Sequence, residues 1–251
     1  MGIAFSPNRF AVDLNPKIQL NNLNAVHFGN VGKTDSFEST SVEKLFNENT
    51  IKTMLNQNPN IKKLLSLYDL TVHLNMKELK ELQNGHCKDT QDICMKIYNK
   101  LPLSLKSGVN VKNLKEGAML HDFGKVLIPN EILNKNGELT KQEHEIMNLH
   151  SELGYQLLKF SGVNQEILKL VRYHHNPQKM KLPDINTEIL NLADKFSALT
   201  EQRVYKKAYS PQQALTILYK EVNSGEIHPI LFNSLVQAVS ENKQNIPVKI
   251  S

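Results

Sequence analysis

The sequence lacks several features of secreted and membrane proteins. It has two cysteines in 251 residues, Cys87 and Cys94, which are too few for a disulfide framework and typical of free thiols in a reducing compartment. No apolar run approaches the roughly 20 residues that cross a bilayer, and the first residues lack the basic region and apolar core of a signal peptide. We therefore expect a cytoplasmic protein with no membrane partner.

A dense block of basic residues is also absent. The formal net charge is +5, from 30 lysines and arginines against 25 aspartates and glutamates, and these residues are scattered along the chain. Such a charge permits attraction to a small phosphate-bearing ligand but argues against nucleic acid as a partner.

Two regions of the chain differ in pattern. Residues 1–60 are rich in Asn, Ser and Thr, and their isolated apolar residues follow neither a strand period nor a helix period. This predicts a polar, partly disordered N-terminal arm. Residues 61–245 have helical periodicity and no convincing strand, which predicts one all-α domain.

Some helix boundaries can be predicted from capping residues. Apolar residues from Leu64 to Leu79 suggest one helix that ends at Asn84-Gly85. Asn113 can cap the short helix that leads to residue 121. Thr140 and Glu143 form a capping box that starts a further helix.

The most informative stretch joins an imidazole, a carboxylate and an ammonium group in His121, Asp122 and Lys125. Imidazole binds Mn, Fe, Ni or Zn, and the two oxygens of one carboxylate can link two cations. We interpret the stretch as a metal site beside a phosphate. A buried His-Asp pair can also be a purely structural polar contact.

Further candidate ligands fall where the helices should be apolar. A dinuclear centre needs about six to eight ligands, and each helix projects one or two side chains inward. The carboxylate of Asp194 interrupts a strongly apolar helix and needs a partner, either a basic side chain or a metal. The additional candidates are His86, His150, His174, His175 and Asp194.

In this order the residues resemble the HD superfamily of metal-dependent phosphohydrolases, and specifically its HD-GYP branch. The most specific segments are 120–125, 128–133, 137–150 and 193–205. The resemblance implies a helical bundle whose metal ligands are His86, His121, Asp122, His150, His174, His175 and Asp194, with Asp122 as the bridge.

The resemblance also implies roles around the metals. Asp122 and Lys125 would be catalytic, and Lys125 would face the substrate phosphate. Arg203 would help to bind the substrate, with a surface ion pair as its alternative role. Leu82 occupies the position of a glutamate that adds a third metal in some members. We therefore expect two divalent ions, Fe or Mn, with Ni, Zn or Mg as alternatives.

The implied activity is hydrolysis of a phosphodiester in a small nucleotide, a cyclic dinucleotide of the cyclic di-GMP type or a relative, by a hydroxide that two metals activate. Two departures from the family's sequence pattern favour an alternative function. Residues 176–183 lack the Gly-Tyr-Pro motif, and Ser197 stands where the family usually has an aspartate. The alternative is a catalytically degenerate signalling or scaffold module with a signalling protein as its partner. The oligomeric state is not predicted.

Overall fold

The computed structural model describes residues 39–180, 184–202 and 208–240, and within these ranges the chain forms helices, turns and irregular connections without strands. The predicted all-α class is therefore confirmed. The first helices are α1 (Ser39–Leu45), α2 (Glu48–Gln57), α3 (Pro59–Ser66), α4 (Met76–Asn84), α5 (His86–Lys100), α6 (Leu103–Lys106) and α7 (Val111–Leu120). A 3₁₀ helix (Phe123–Leu127) precedes α8 (Asn130–Leu133), α9 (Lys141–Leu158) and α10 (Gln165–Tyr173), and a second (Pro177–Lys179) precedes α11 (Ile185–Thr200), α12 (Pro211–Asn223) and α13 (Pro229–Ser240).

Residues 39–60 of the predicted N-terminal arm are largely helical, and α2 contributes to the core. The side-chain oxygen of Asn47 accepts hydrogen bonds from two backbone N–H groups at the start of α2, and that of Asn58 accepts one at the start of α3. Ile51, Met54 and Leu55 of α2 are buried. Helices capped by asparagines thus lie within the predicted arm, while its partial disorder stays a prediction. Residues 1–38 lie outside the described ranges.

The single helix predicted from Leu64 to Leu79 is two helices. α3 ends before Asp69, whose φ of 55° lies in the left-handed region that stops a helix. The chain then runs irregularly to Asn75, whose backbone N–H donates to the carbonyl of Val126 at 2.8 Å. The side-chain amide of Asn75 donates to the carbonyl of Ile128. These bonds attach the connection to the segment that follows His121-Asp122.

The predicted caps are confirmed in part. Both parts of the capping box of Thr140 and Glu143 are present at the start of α9. The cap of α7 is Asn110 and not Asn113, which lies inside that helix and accepts a hydrogen bond from Asn164 at 3.0 Å. The prediction failed because Asn113 is turned inward to join α7 to the start of α10.

Two clusters of apolar side chains form the core, and α10 contributes to both. Ile167, Leu168 and Val171 pack with residues of α1–α4, α8, α9 and the first 3₁₀ helix. Leu170 packs with residues of α5, α7, α11, α12 and α13. Helix α10 therefore lies where the helices of one cluster meet the helices of the other. None of the helices in the described ranges has the length and apolar character that a membrane crossing requires.

Candidate metal centre

The seven predicted ligands come together from five places in the chain. His86 is the first residue of α5, His121 and Asp122 connect α7 to the first 3₁₀ helix, and His150 lies in α9. His174 and His175 follow α10, and Asp194 lies in α11. All are buried except His175, whose side chain is 37% exposed. The geometry thus brings the seven side chains together, while their roles as ligands stay a prediction.

One group of ligand atoms surrounds His86 and His121. The Nε2 atom of His86 lies 3.0 Å from Asp194 Oδ1 and 3.6 Å from Asp122 Oδ2. The Nε2 atom of His121 lies 3.5 Å from Asp122 Oδ2 and 3.6 Å from Asp194 Oδ1. Two imidazoles and two carboxylate oxygens therefore face the same small space, as a tetrahedral or larger coordination shell requires.

A second group consists of three imidazoles. The Nε2 atom of His150 lies 3.2 Å from Nε2 of His174 and 3.2 Å from Nε2 of His175. Potential ligand atoms of the three residues all lie within 4.8 Å of one another. Such spacing suits a single ion with three nitrogen ligands.

Both carboxylates reach from one group to the other. Asp122 directs Oδ2 to His86 and His121, while its Oδ1 lies 3.4 Å from Nε2 of His150. Asp194 directs Oδ1 to the first group, and its Oδ2 lies 3.7 Å from Nδ1 of His175. The predicted bridging position of Asp122 is thus accompanied by a second carboxylate in an equivalent position.

Backbone carbonyls determine the tautomer of three histidines. Nδ1 of His121 lies 2.7 Å from the carbonyl of Ala118, and Nδ1 of His150 lies 2.6 Å from that of Met147. In His174 the same atom lies 2.8 Å from the carbonyl of Val171. Because a carbonyl can only accept, each Nδ1 carries a proton, and Nε2 presents a lone pair wherever the ring is neutral.

This arrangement fits a metal better than it fits a network of hydrogen bonds. The Nε2 lone pairs of His150 and His174 face each other at 3.2 Å, with no proton left to place between them when both rings are neutral. Nε2 of His121 is buried and has no hydrogen-bond partner among the described residues. Cations between these atoms would satisfy all of them, so the donor set suits a metal centre of nitrogen and oxygen ligands.

The pKa shifts of His150, His174 and Asp122 favour the forms of these side chains that bind metals. Burial lowers the pKa of His150 to about 3 and holds that of His174 well below its usual range, so both rings are neutral. For Asp122, burial alone would raise the pKa, but Lys125 and the surrounding histidines outweigh it and hold the pKa well below the ordinary value. In His121, burial lowers the pKa, yet Asp122 and Asp194 outweigh burial and raise it. Metal at His121 would therefore replace a proton on Nε2.

Lys125 lies at the edge of this centre. Its Nζ donates to Asp122 Oδ2 at 2.6 Å, and its side chain is 16% exposed. The ammonium group is therefore close both to the proposed bridging carboxylate and to solvent. This position suits contact with an anionic ligand above the metals.

Glycines allow the segment with the His-Asp pair to approach α9 closely. A Cβ atom on Gly124 would lie 2.0 Å from the carbonyl oxygen of His150 and 2.4 Å from the nitrogen of Gly154. A Cβ atom on Gly154 would lie 3.1 Å from the nitrogen of Gly124. The absence of side chains on both residues therefore places Asp122 beside His150.

The sequence interpretation did not identify every residue near the centre. Ser197 Oγ and Glu201 Oε2 of the α11 end lie 3.4 Å and 3.6 Å from Nδ1 of His86. Ser197 was noted from the sequence only as a replacement for an aspartate, and its spacing of three residues from Asp194 places both on one face of a helix. No sequence signal marked Glu201 as a neighbour of His86. Arg203 and residues 181–183 of the shortened loop lie outside the described ranges.

Comparisons with known proteins identify sequences similar to this chain. Residues 85–199 match the model of the HD domain family. The chain is 33% identical over 124 residues to the cyclic di-GMP phosphodiesterase response regulator RpfG of Xanthomonas campestris, a match that covers 44% of this chain and 32% of the relative. It is 34% identical over 131 residues to a cyclic di-GMP phosphodiesterase of Thermotoga maritima, covering 47% and 34%.

A third relative acts on a different dinucleotide. The chain is 26% identical over 161 residues to the 3′3′-cGAMP-specific phosphodiesterase 1 of Vibrio cholerae, covering 61% of this chain and 37% of the relative. The matched segments thus span about a third of each of these three relatives.

Proposed function

We propose that this chain, whose residues 85–199 match the model of the HD domain family, is a metal-dependent phosphodiesterase that hydrolyses a cyclic dinucleotide. The observation that carries the proposal is the pair of ligand groups that share Asp122 and Asp194. A second support is the set of relatives whose names specify cyclic di-GMP or 3′3′-cGAMP as substrate.

The proposed ligands are those predicted from the sequence. His86, His121, Asp122 and Asp194 would hold one cation, and His150, His174 and His175 would hold a second together with the other oxygens of the two carboxylates. When bound, two cations supply Lewis acidity toward a phosphate oxygen and toward water. Nitrogen and carboxylate ligands suit Fe or Mn, which we propose as the native ions.

The chain itself contributes charge, orientation and access. The Lys125 ammonium group would stabilise a phosphate oxygen as negative charge develops on it. Asp122 accepts from Lys125 and so holds that group toward the centre. The exposed edge of His175 lies on the accessible side of the centre, where a phosphodiester can approach. We propose Arg203 as a second phosphate contact on grounds of sequence alone.

The experiment measures metal content and turnover together. The protein is reconstituted with Mn²⁺ or, without oxygen, Fe²⁺, its metal content is determined by mass spectrometry, and cyclic di-GMP, 3′3′-cGAMP and bis(p-nitrophenyl) phosphate are tested. Asp122→Asn keeps the shape of the side chain but removes a bridging charge. Glu145→Gln, an exposed carboxyl in α9, is the matched control.

We expect about two ions per chain and turnover of at least one cyclic dinucleotide, both of which Asp122→Asn reduces and Glu145→Gln does not. Lys125→Met should keep the ions but lower turnover by on the order of 10²-fold, as removal of one charge-stabilising group does elsewhere. Turnover that survives Asp122→Asn unchanged would remove the proposal.

The alternative is a metal-binding module without turnover. Ser197 favours it, because this buried hydroxyl lies 3.4 Å from His86 and cannot act as a base at neutral pH. Bound metal without turnover of any tested dinucleotide would support this second function.

A further inference from the structure

His86 differs from the other buried histidines of the centre in the surroundings of its Nδ1 atom. His121, His150 and His174 each bond to the carbonyl three residues earlier in the chain. His86 is the first residue of α5 and follows Gly85, so no preceding turn of its own helix offers such a carbonyl. Another element must therefore determine which nitrogen of His86 carries the proton.

The end of α11 supplies the groups that face Nδ1 of His86. Ser197 Oγ lies at 3.4 Å and Glu201 Oε2 at 3.6 Å. The backbone N–H of Glu201 donates to the carbonyl of Ser197 at 2.9 Å, which fixes the two residues one turn apart. Nε2 on the opposite side of the ring lies 3.0 Å from Asp194, a carboxylate that can only accept. A cation bound at Nε2 therefore replaces a proton there and leaves Nδ1, which faces the α11 end, as the nitrogen that carries one.

The two neighbours of Nδ1 are not equivalent in chemistry. A serine hydroxyl both donates and accepts, so Ser197 is compatible with either tautomer of His86. A carboxylate only accepts, so Glu201 favours the tautomer with the proton on Nδ1. Its side chain is 28% exposed and borders a cavity of about 180 Å³, which leaves it room to approach the ring more closely.

We propose that Glu201 is a positioning residue for His86. Its carboxylate takes the place that backbone carbonyls take for the other three histidines: with a cation at Nε2, it faces the Nδ1–H group and orients the ring. This inference rests on the proposed metal centre. Partners of this kind typically change metal affinity by about 10- to 100-fold.

Three variants test the proposal. Glu201→Gln removes the charge and introduces an amide that can donate, Glu201→Asp keeps a carboxylate on a shorter side chain, and Asp92→Asn removes a charge from the same cavity without a contact to His86. The first readout is the Nδ1–H group of His86 in the protein loaded with diamagnetic Zn²⁺, from ¹H–¹⁵N NMR with the signal assigned by its loss in His86→Gln. The second is the affinity for Mn²⁺ by calorimetry.

We expect the His86 Nδ1–H signal of wild type to lie downfield and to exchange slowly with water. Glu201→Gln should shift this signal upfield, speed its exchange and lower Mn²⁺ affinity by about 10- to 100-fold. Glu201→Asp should recover part of the affinity, and Asp92→Asn should stay within about twofold of wild type because only bulk charge changes. Rescue by aspartate separates positioning from a general loss of structure.

The outcomes separate this inference from the proposed function. If wild type binds Mn²⁺ and Glu201→Gln matches it in both affinity and the Nδ1–H signal, Glu201 does not position His86, although the metal centre stands. If Asp92→Asn weakens binding as much as Glu201→Gln, a general charge effect replaces the proposal. If wild type binds neither Mn²⁺ nor Zn²⁺, the proposed function fails and this inference fails with it.

Discussion

The close approach of the first 3₁₀ helix to α9 makes Gly124→Ala a severe perturbation at a position that is not itself a ligand. The added Cβ atom would lie 2.0 Å from the carbonyl oxygen of His150 and 2.4 Å from the nitrogen of Gly154. Cβ contacts below 3.0 Å essentially do not occur, and both obstacles are backbone atoms of a helix. The two segments must therefore separate by about 1 Å.

The magnitude follows from the cost of overpacking a core. Such substitutions cost about 1–3 kcal/mol and sometimes more, and the upper end applies where no side chain can rotate away. Loss of glycine flexibility in the unfolded chain returns about 0.4–1 kcal/mol. We expect a net loss of about 2–3 kcal/mol, which lowers the melting temperature of a domain of this size by roughly 4–12 °C.

The same separation changes the metal centre. In the wild-type structure Asp122 Oδ1 lies 3.4 Å from Nε2 of His150, and Gly124 lies two residues after Asp122. A displacement of about 1 Å between groups that act together can cost on the order of 10²-fold in activity. Metal affinity and turnover of Gly124→Ala should therefore fall even at temperatures where the protein stays folded.

Scanning calorimetry and Mn²⁺ titration of the variant check both effects, with Gly108→Ala as the control. A Cβ atom on Gly108 meets Leu105 and Ile185 at 3.5 and 3.6 Å, which are ordinary contacts. Its melting temperature should stay close to wild type. Equal melting temperatures and equal Mn²⁺ affinities for both variants would refute the role assigned to this glycine.

Three further predictions concern the helices that hold the centre. Thr140→Ala removes the hydroxyl that caps α9 and should cost about 1 kcal/mol in a denaturant titration, with an unchanged slope. Asn58→Ala removes a buried amide that donates to the carbonyl of Gln156 at 2.8 Å and should cost about 1–3 kcal/mol by the same measurement. Hydrogen bonding to Lys135 lowers the pKa of Glu143 to about 2. Since the folded pKa lies below the unfolded value, this contribution is present above about pH 4.5 and is lost as the pH falls through about 2. Thermal melts over that range should show a smaller loss for Glu143→Gln than for wild type.

The seven side chains that the structure brings together could be selected from the sequence because their chemistry conflicts with their positions. His150 and Asp194 fall on apolar helix faces, and a buried imidazole or carboxylate there needs a partner. His144 sits among charged residues of α9 and is exposed in the structure. A histidine on the apolar face of a helix is thus a candidate ligand, whereas a histidine on the charged face of the same helix is a surface residue.

Helix boundaries that depend on contacts between distant residues were less predictable from the sequence. Leu64 to Leu79 has the apolar content of one helix, but the chain leaves the helix at Asp69 and is held instead by bonds from Asn75 to Val126 and Ile128. Likewise, the Asn, Ser and Thr content of residues 1–60 suggested an arm by composition, although α2 lies within it. Local pattern does not distinguish an asparagine that caps a packed helix from one in a flexible segment.

The surroundings of His86 could be predicted from the sequence only in part. The pair Asn84-Gly85 predicted a helix stop, and His86 opens the next helix as expected. From that position alone it follows that Nδ1 of His86 has no carbonyl in its own helix, so an acceptor from elsewhere is required. Which residue provides it depends on how α11 packs on α5, a contact between distant parts of the chain. Sequence can therefore predict the need for a group such as Glu201, whereas only the packed structure identifies it.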